Sequence, residues 1–422
     1  MISTISSRFV CVGCGYELPI SPEAPLPFRC PRAGRDDVEH VLKRQLDSGH
    51  FPHDHDPNPF VAFRHLFTSY QLARTAMSDA DYVELVRRLD ERVARVDGRG
   101  FLFTPCVHEQ RLSQEIDCEV WVKDETGNVA GSHKARHLFG IILYLEVVRR
   151  LRGQTGPRPR LAIASCGNAA LAAAVVAAAA EYPLKVFIPL EANPLVVERL
   201  RQLGAELALC PRHPEEHGDP CLLRFRQALA GGALPFGCQG PENGLTIEGG
   251  QTLAYELLRQ GEVFDQVFIQ VGGGALASSF VQAYSDGLRL GAVKRVPTLY
   301  AVQTEASPLL AAWNRLDAPW SEVAAHRSRY MRPWPTPPHS VASGILDDET
   351  YDWFELVKAM KESGGRPLAA SEELLNEANW LARQTTDIAV SNTGTAGLAG
   401  LLQVRPQGRS LVLFTGLRRS HG

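Results

Sequence analysis

Beyond residue 119 the chain alternates short apolar runs with longer stretches whose apolar positions recur at helical spacing. Runs of strand length fall at 119–123, 161–164, 184–189, 206–209, 298–302 and 411–414, and a strand followed directly by a helix spans 267–290. Helical periodicity begins at Lys134 and at Asn168, and it returns near 195–203 and 371–383. Such alternation predicts an α/β architecture with parallel sheets. Upstream, 78–96 reads as an amphipathic helix capped by Ser78 and stopped near Gly98. The first 59 residues are rich in Pro, His and Asp and end in His53-Asp-His-Asp-Pro-Asn-Pro59, which reads as an irregular, solvated arm. Residues 313–338, rich in Pro, Trp and Arg, carry no periodicity and suggest an insertion acting as a lid or an interface.

Size and charge narrow the classes. A chain of 422 residues with 45% apolar content buries a large core and should form two or three lobes. Forty-four basic against 47 acidic residues leave a formal charge of −3, which offers nucleic acid or an anionic membrane no electrostatic reason to bind. The uncharged stretch 161–180 is long enough on paper to span a bilayer. Its Ser165, Gly167 and Asn168 and its alanine content read better as a buried strand, a turn and a helix. The N-terminus lacks the pattern of a secretory signal, so a cytoplasmic location is expected. Nine irregularly spaced cysteines do not form a disulfide framework. Three of them sit together in sequence: Cys11-Val-Gly-Cys14-Gly has the shape of a zinc knuckle, and Cys30 offers a third thiolate. The usual fourth cysteine is missing, leaving His40 or Asp36 as substitutes, with buried free thiols as the alternative to zinc.

Four segments carry candidate chemistry. Gly131-Ser-His-Lys-Ala-Arg136 puts Lys134 at a helix start, where the positive end of the helix dipole disfavours its charged form and favours a nucleophilic, imine-forming amine. Ser165-Cys166-Gly167-Asn168 is a polar turn between a strand and a helix, suited to holding an anion such as a substrate carboxylate. In Val267-Phe-Ile-Gln-Val-Gly-Gly-Gly-Ala-Leu276, the glycines Gly272, Gly273 and Gly274 let the backbone wrap a phosphate at a helix N-terminus. The same letters also suit a dinucleotide turn, with Gly272, Gly274 and Ala277 as its small positions and Glu305 as a late acid. Thr415, at the end of the last strand, could exchange a hydrogen bond with a ring nitrogen.

In this order the four segments resemble the tryptophan-synthase-β superfamily of pyridoxal phosphate enzymes, fold type II. Gly244-Leu-Thr-Ile-Glu-Gly-Gly-Gln-Thr-Leu-Ala-Tyr-Glu256 and Ser340-Val-Ala-Ser-Gly-Ile345 are most similar to its threonine synthase and threonine dehydratase branch. The resemblance implies pyridoxal phosphate as cofactor, with Lys134 as the Schiff-base lysine and catalytic base. Asn168 would partner the ring hydroxyl oxygen, Gly272, Gly273, Gly274, Ala275 and Leu276 would hold the phosphate, and Thr415 would face the pyridine nitrogen. Ser165, Cys166, Gly167 and Asn168 would line the substrate carboxylate site. It further implies a large cofactor-binding domain (60–134 and 236–422), a small domain (135–235), a cysteine-bearing N-terminal arm (1–59) and a homodimer. Some threonine synthases carry such an arm, so Cys11, Cys14 and Cys30 are candidate zinc ligands.

Two departures shape the functional expectation. His133 stands where most of the branch has an aromatic residue, and Ala135 stands where threonine synthases have aspartate. The second weakens the case for a phosphorylated homoserine. The expectation is therefore a lyase of dehydratase or ammonia-lyase type, acting on a small β-substituted amino acid through an aminoacrylate. Threonine-synthase-like replacement is the nearest alternative. A catalytically silent cofactor-binding regulator and a nicotinamide oxidoreductase stay open behind it.

Overall fold

The structure, a computed structural model, describes residues 6–47, 49–213, 215–216, 218–334 and 338–419. In chain order its strands are β1 (Ser7–Cys11), β2 (Glu17–Leu18), β3 (Leu42–Leu46), β4 (Cys106–His108), β5 (Val120–Asp124), β6 (Leu161–Ala164), β7 (Leu184–Ile188), β8 (Glu206–Leu209), β9 (Leu234–Pro235), β10 (Gln266–Gln270), β11 (Thr298–Thr304), β12 (Arg366–Ala370) and β13 (Ser410–Phe414). They build three sheets, with orders β2-β1-β3, β12-β11-β10-β13-β5-β4 and β8-β7-β6-β9.

The six-stranded sheet is parallel except for β4, which pairs antiparallel with β5 at one edge. The four-stranded sheet is parallel throughout. Its helix Asn168–Ala179 is nearly all alanine and valine and is buried along most of its length, so the uncharged stretch packs as strand, turn and helix. Among the described residues no helix is long and apolar enough to cross a membrane. The central strands β10 and β13 are buried at every position, as strands covered on both faces require. Parallel pairing sends the chain out of β5, β10 and β13 at the same sheet edge. Ligands in open α/β sheets collect outside that edge.

The helix Lys134–Leu151 is held against the helix Thr246–Gln260 by an unusually close crossing. A Cβ on Gly249 would collide with the Arg136 carbonyl, and one on Gly250 would collide with the His137 ring. The run Glu248-Gly-Gly-Gln-Thr252 thus fixes how near the Lys134 helix can lie. The first turn of that helix is anchored a second time. The fully buried Arg136 donates through Nε to Glu125 at 2.8 Å and through Nη1 to Glu256 at 2.5 Å. Lys123 Nζ reaches the other Glu256 oxygen at 2.6 Å.

Two sequence expectations change. The N-terminal arm is not irregular throughout: β1 and β3 pair over five residues each, and Phe9, Leu42 and Leu46 enter the main core. Within β3, Arg44 points inward and meets Asp286 at 2.8 Å, which disguises the strand as a polar stretch. Residues 308–330 hold three short helices, Pro308–Asn314, Trp320–Ala325 and Arg327–Tyr330, where the sequence shows no periodicity. Residues 335–337 of the suggested insertion lie outside the described residues.

Candidate active site

Lys134 opens its helix after the N-cap His133, which follows an extended residue, Ser132, that bridges antiparallel to Gly416. His133 N–H donates to the Thr415 carbonyl at 3.2 Å. The chain beyond β13 is therefore laid across the segment that presents the lysine. His133 Nδ1 lies 3.1 Å from the same carbonyl, and since a carbonyl only accepts, Nδ1 carries the proton. Burial, with the Lys134 charge next in size, keeps this imidazole well below its ordinary pKa, so it is neutral and its buried Nε2 is an acceptor without a partner among the described residues.

Thr415 is buried, and its Oγ1 lies 2.7 Å from Gln270 Nε2. The carbonyls of Gly394 and Leu413, at 2.7 and 3.0 Å from the same nitrogen, fix which end of the Gln270 amide is which. An amide nitrogen only donates, so the threonine hydroxyl accepts there and keeps its own hydrogen for another partner. Sequence reasoning did not reach Gln270, although a glutamine closing the apolar run Val267 to Ile269 was its signal.

Asn168 begins its helix with no side-chain cap at Gly167, which leaves the first backbone N–H groups of that helix open. The Asn168 side chain faces Gly416, where an added Cβ would lie 2.5 Å from Nδ2. Its Oδ1 accepts from Arg419 Nη1, and Arg419 Nη2 also donates to the Ala130 carbonyl at 2.8 Å. Ala130 holds a left-handed backbone (φ 55°), which a residue with a Cβ adopts at a cost of order 1 kcal/mol or more. Because a guanidinium only donates, Arg419 orients the Asn168 amide and leaves Nδ2 as a free donor. Arg419, beyond the last strand, is thus partly buried against the site. In the preceding turn Ser165 and Gly167 are partly buried, and Cys166 is exposed.

The glycine turn after β10 connects to the helix Ala275–Arg289 through Gly274 at φ +101°, a conformation that favours glycine. The acid-rich segment from Gly344 to Asp352 lies over this turn. Gly273 N–H donates to Asp347 Oδ2 at 2.8 Å, Gly272 has no room for a Cβ beside the same carboxylate, and Asp352 N–H donates to the Gly273 carbonyl at 3.1 Å. Asp347 keeps some surface exposure, yet desolvation raises its pKa to about 6 against the pull of Lys134. Burial lifts Asp352 to about 8, Glu39 adds to the rise and Lys134 opposes it. Both carboxyls therefore lie within electrostatic range of Lys134. The structure brings together all four segments singled out in the sequence, and adds Gln270, Asp347, Asp352 and Arg419.

The glycine turn already takes an anion: a carboxylate oxygen sits on its N–H, where a phosphate oxygen would be received. A donor amide at Asn168, a donor hydroxyl at Thr415 and a primary amine at Lys134 complete a set that matches, group by group, the phosphate, ring oxygen, ring nitrogen and aldehyde of pyridoxal phosphate. These residues fit the cofactor, provided the phosphate displaces the Asp347 carboxylate. A cavity of about 910 Å³, lined in part by Leu26, Cys30, His40, Arg226 and Tyr351, lies away from Lys134 on the side of the arm.

The chain is also similar to known proteins. The chain is 26% identical over 310 residues to threonine synthase of Mycobacterium tuberculosis (strain ATCC 25618 / H37Rv), covering 72% of this chain and 76% of that protein. It is 27% identical over 201 residues to the biosynthetic L-threonine dehydratase of Haemophilus influenzae (strain ATCC 51907 / DSM 11121 / KW20 / Rd), covering 48% and 36%. The fold is shared with maize serine racemase, with a TM-score of 0.61 at 18% identity over 81% of this chain and 94% of that one. Residues 99–416, three quarters of the chain, match the pyridoxal-phosphate dependent enzyme family as a whole, and the protein belongs to that family.

Proposed function

We propose that the protein catalyses elimination on a small β-substituted amino acid, releasing a keto acid and ammonia. The observation that supports this most is the hydroxyl of Thr415, oriented by Gln270 as a neutral donor. A neutral partner leaves the pyridine nitrogen uncharged, and moderate electron withdrawal suits loss of a β-substituent over transfer of the amino group.

When bound, pyridoxal phosphate supplies the electron sink for charge released at the substrate Cα. Lys134 would hold the cofactor and, once freed by the substrate amine, take the Cα proton at Nζ. Asn168 Nδ2, held outward by Arg419, would donate to the ring oxygen. The turn Ser165-Cys166-Gly167 and the open N-terminus of the helix at Asn168 would receive the substrate carboxylate. Gly272 to Leu276 would receive the phosphate, with Gly273 N–H exchanging one anion for another.

A second reading, replacement of the substituent by a nucleophile as in threonine synthases, is favoured by the extent of the match to the mycobacterial threonine synthase. Ala135 speaks against its phosphorylated substrate. Visible absorbance of the loaded protein, recorded with hydroxy-, amino-, thio- and phospho-substituted amino acids, separates the two. Elimination predicts a change of the imine band with release of keto acid and ammonia, and replacement predicts a change without keto acid. Turnover retained by Lys134→Ala would sink both.

A further inference from the structure

We propose that Cys11, Cys14, Cys30 and His40 bind one structural zinc ion in a closed site, with His40 as the fourth ligand and Asp36 orienting it. The four residues come from separate parts of the arm: Cys11 ends β1, Cys14 follows in the turn to β2, and Cys30 and His40 lie in the long loop before β3. One ligand atom from each lies within 4.8 Å of all the others. A tetrahedral ion about 2.3 Å from sulfur and about 2.05 Å from nitrogen sets edges of about 3.8 Å between two sulfurs and about 3.6 Å between sulfur and nitrogen. The observed separations are 3.7 Å for Cys14 Sγ to Cys30 Sγ and 3.4 Å for Cys11 Sγ to His40 Nδ1. All nine cysteines of the chain are free, so no disulfide competes for these thiols.

The histidine supplies an independent observation. His40 Nδ1 faces Cys11, while Nε2 on the far side lies 3.1 Å from Asp36 Oδ2. A carboxylate taking the outer N–H fixes the tautomer that presents a lone pair inward, the usual outer-shell arrangement of a zinc-bound histidine. With Cys11 and Cys30 buried and four protein ligands available, no position is left for water or substrate, which marks a structural rather than a catalytic ion.

The ion would do more than fold the arm. The residue before His40, Glu39, accepts from Trp353 Nε1 at 2.6 Å and pairs with Arg327 at 3.2 Å, and its own N–H donates to the Ala324 carbonyl. Trp353 adjoins Asp352 on the glycine turn. Coordination of His40 thus clamps the segment that covers the cofactor's phosphate site.

The test is the metal content of the full-length protein, purified without a polyhistidine tag, followed by Co²⁺ exchange of the same sample. One zinc per chain, and a Co²⁺ form with the visible bands of a tetrahedral ion and a thiolate charge-transfer band, is the expected result. Cys14→Ser should weaken Co²⁺ binding at least tenfold, and His40→Cys should retain the ion with a spectrum shifted toward four thiolates. Should the serine variant fail to fold, the wild-type titration and the cysteine variant still decide. Absence of stoichiometric metal with no thiolate band on Co²⁺ addition would overturn the proposal. So would an unchanged cobalt spectrum in His40→Cys, or recovery of Cys14 and Cys30 joined as a disulfide from freshly purified protein.

Discussion

Asp352 offers a quantitative test of the glycine-turn geometry. The residue is 5% exposed and its Oδ2 has no hydrogen-bond partner among the described residues. Burial raises its pKa to about 8 from an ordinary value of 3.8. Between those two values the folded state keeps a proton that the unfolded chain has released, so stability falls as pH rises, by about 1.4 kcal/mol per pH unit. Over the full window the upper bound is about 6 kcal/mol, a large share of the 5–15 kcal/mol typical of a folded protein. Asp352→Asn keeps the size and removes the ionisation. The variant should match the wild type near pH 4 and become progressively more stable than it toward pH 8, the difference levelling off above that. Chemical denaturation of cofactor-free protein at fixed concentration, from pH 4 to 9, measures it, since bound cofactor would add its own linkage. A difference that stays flat across this range would refute the assignment of Asp352 as a buried, protonated acid. The packing of the acidic segment on the glycine turn would then need another account.

Two further outcomes follow from the same contacts. Asp347→Asn removes the internal carboxylate that occupies Gly273 N–H, so spectrophotometric titration of the cofactor-free protein should show several-fold tighter pyridoxal phosphate binding at pH 8, with a smaller gain at pH 5, where Asp347 is already largely protonated. Arg136→Met leaves the buried Glu125 without its arginine and Glu256 with Lys123 as its remaining cation beside Thr104; a loss of roughly 3–5 kcal/mol is expected in urea unfolding, and a loss below 1 kcal/mol would mean the network relaxes freely.

What the sequence disclosed about this protein follows from how local each signal is. Most strands from Val120 onward were legible because burial on both sheet faces leaves apolar runs, and Ser78 starts and Gly98 ends a helix by backbone chemistry that depends on no distant partner, whereas β12 and the helices Pro220–Ala230, Trp353–Ser363 and Asn392–Val404 were not read. Lys134, Asn168, the glycines and Thr415 drew attention for a related reason: each sits where a strand or turn hands over to the next element, and it was their order along the chain, matched to a resemblance, that suggested roles for them. The strand β3 was not legible, because its inward position is an arginine whose charge is answered by Asp286, hundreds of residues away. Arg136 and Glu256 behave alike, polar letters at core positions whose satisfaction is purely tertiary. Asp347 and Asp352 are the sharpest case. An acidic run in sequence reads as a solvated face; only the fold reveals that it lies against a turn of bare N–H groups and within reach of the Lys134 charge. Of the residues that escaped the sequence, Asp347 is the one whose carboxylate occupies the N–H at which a phosphate would be received, so that part of the site is set by a contact 74 residues away in the chain.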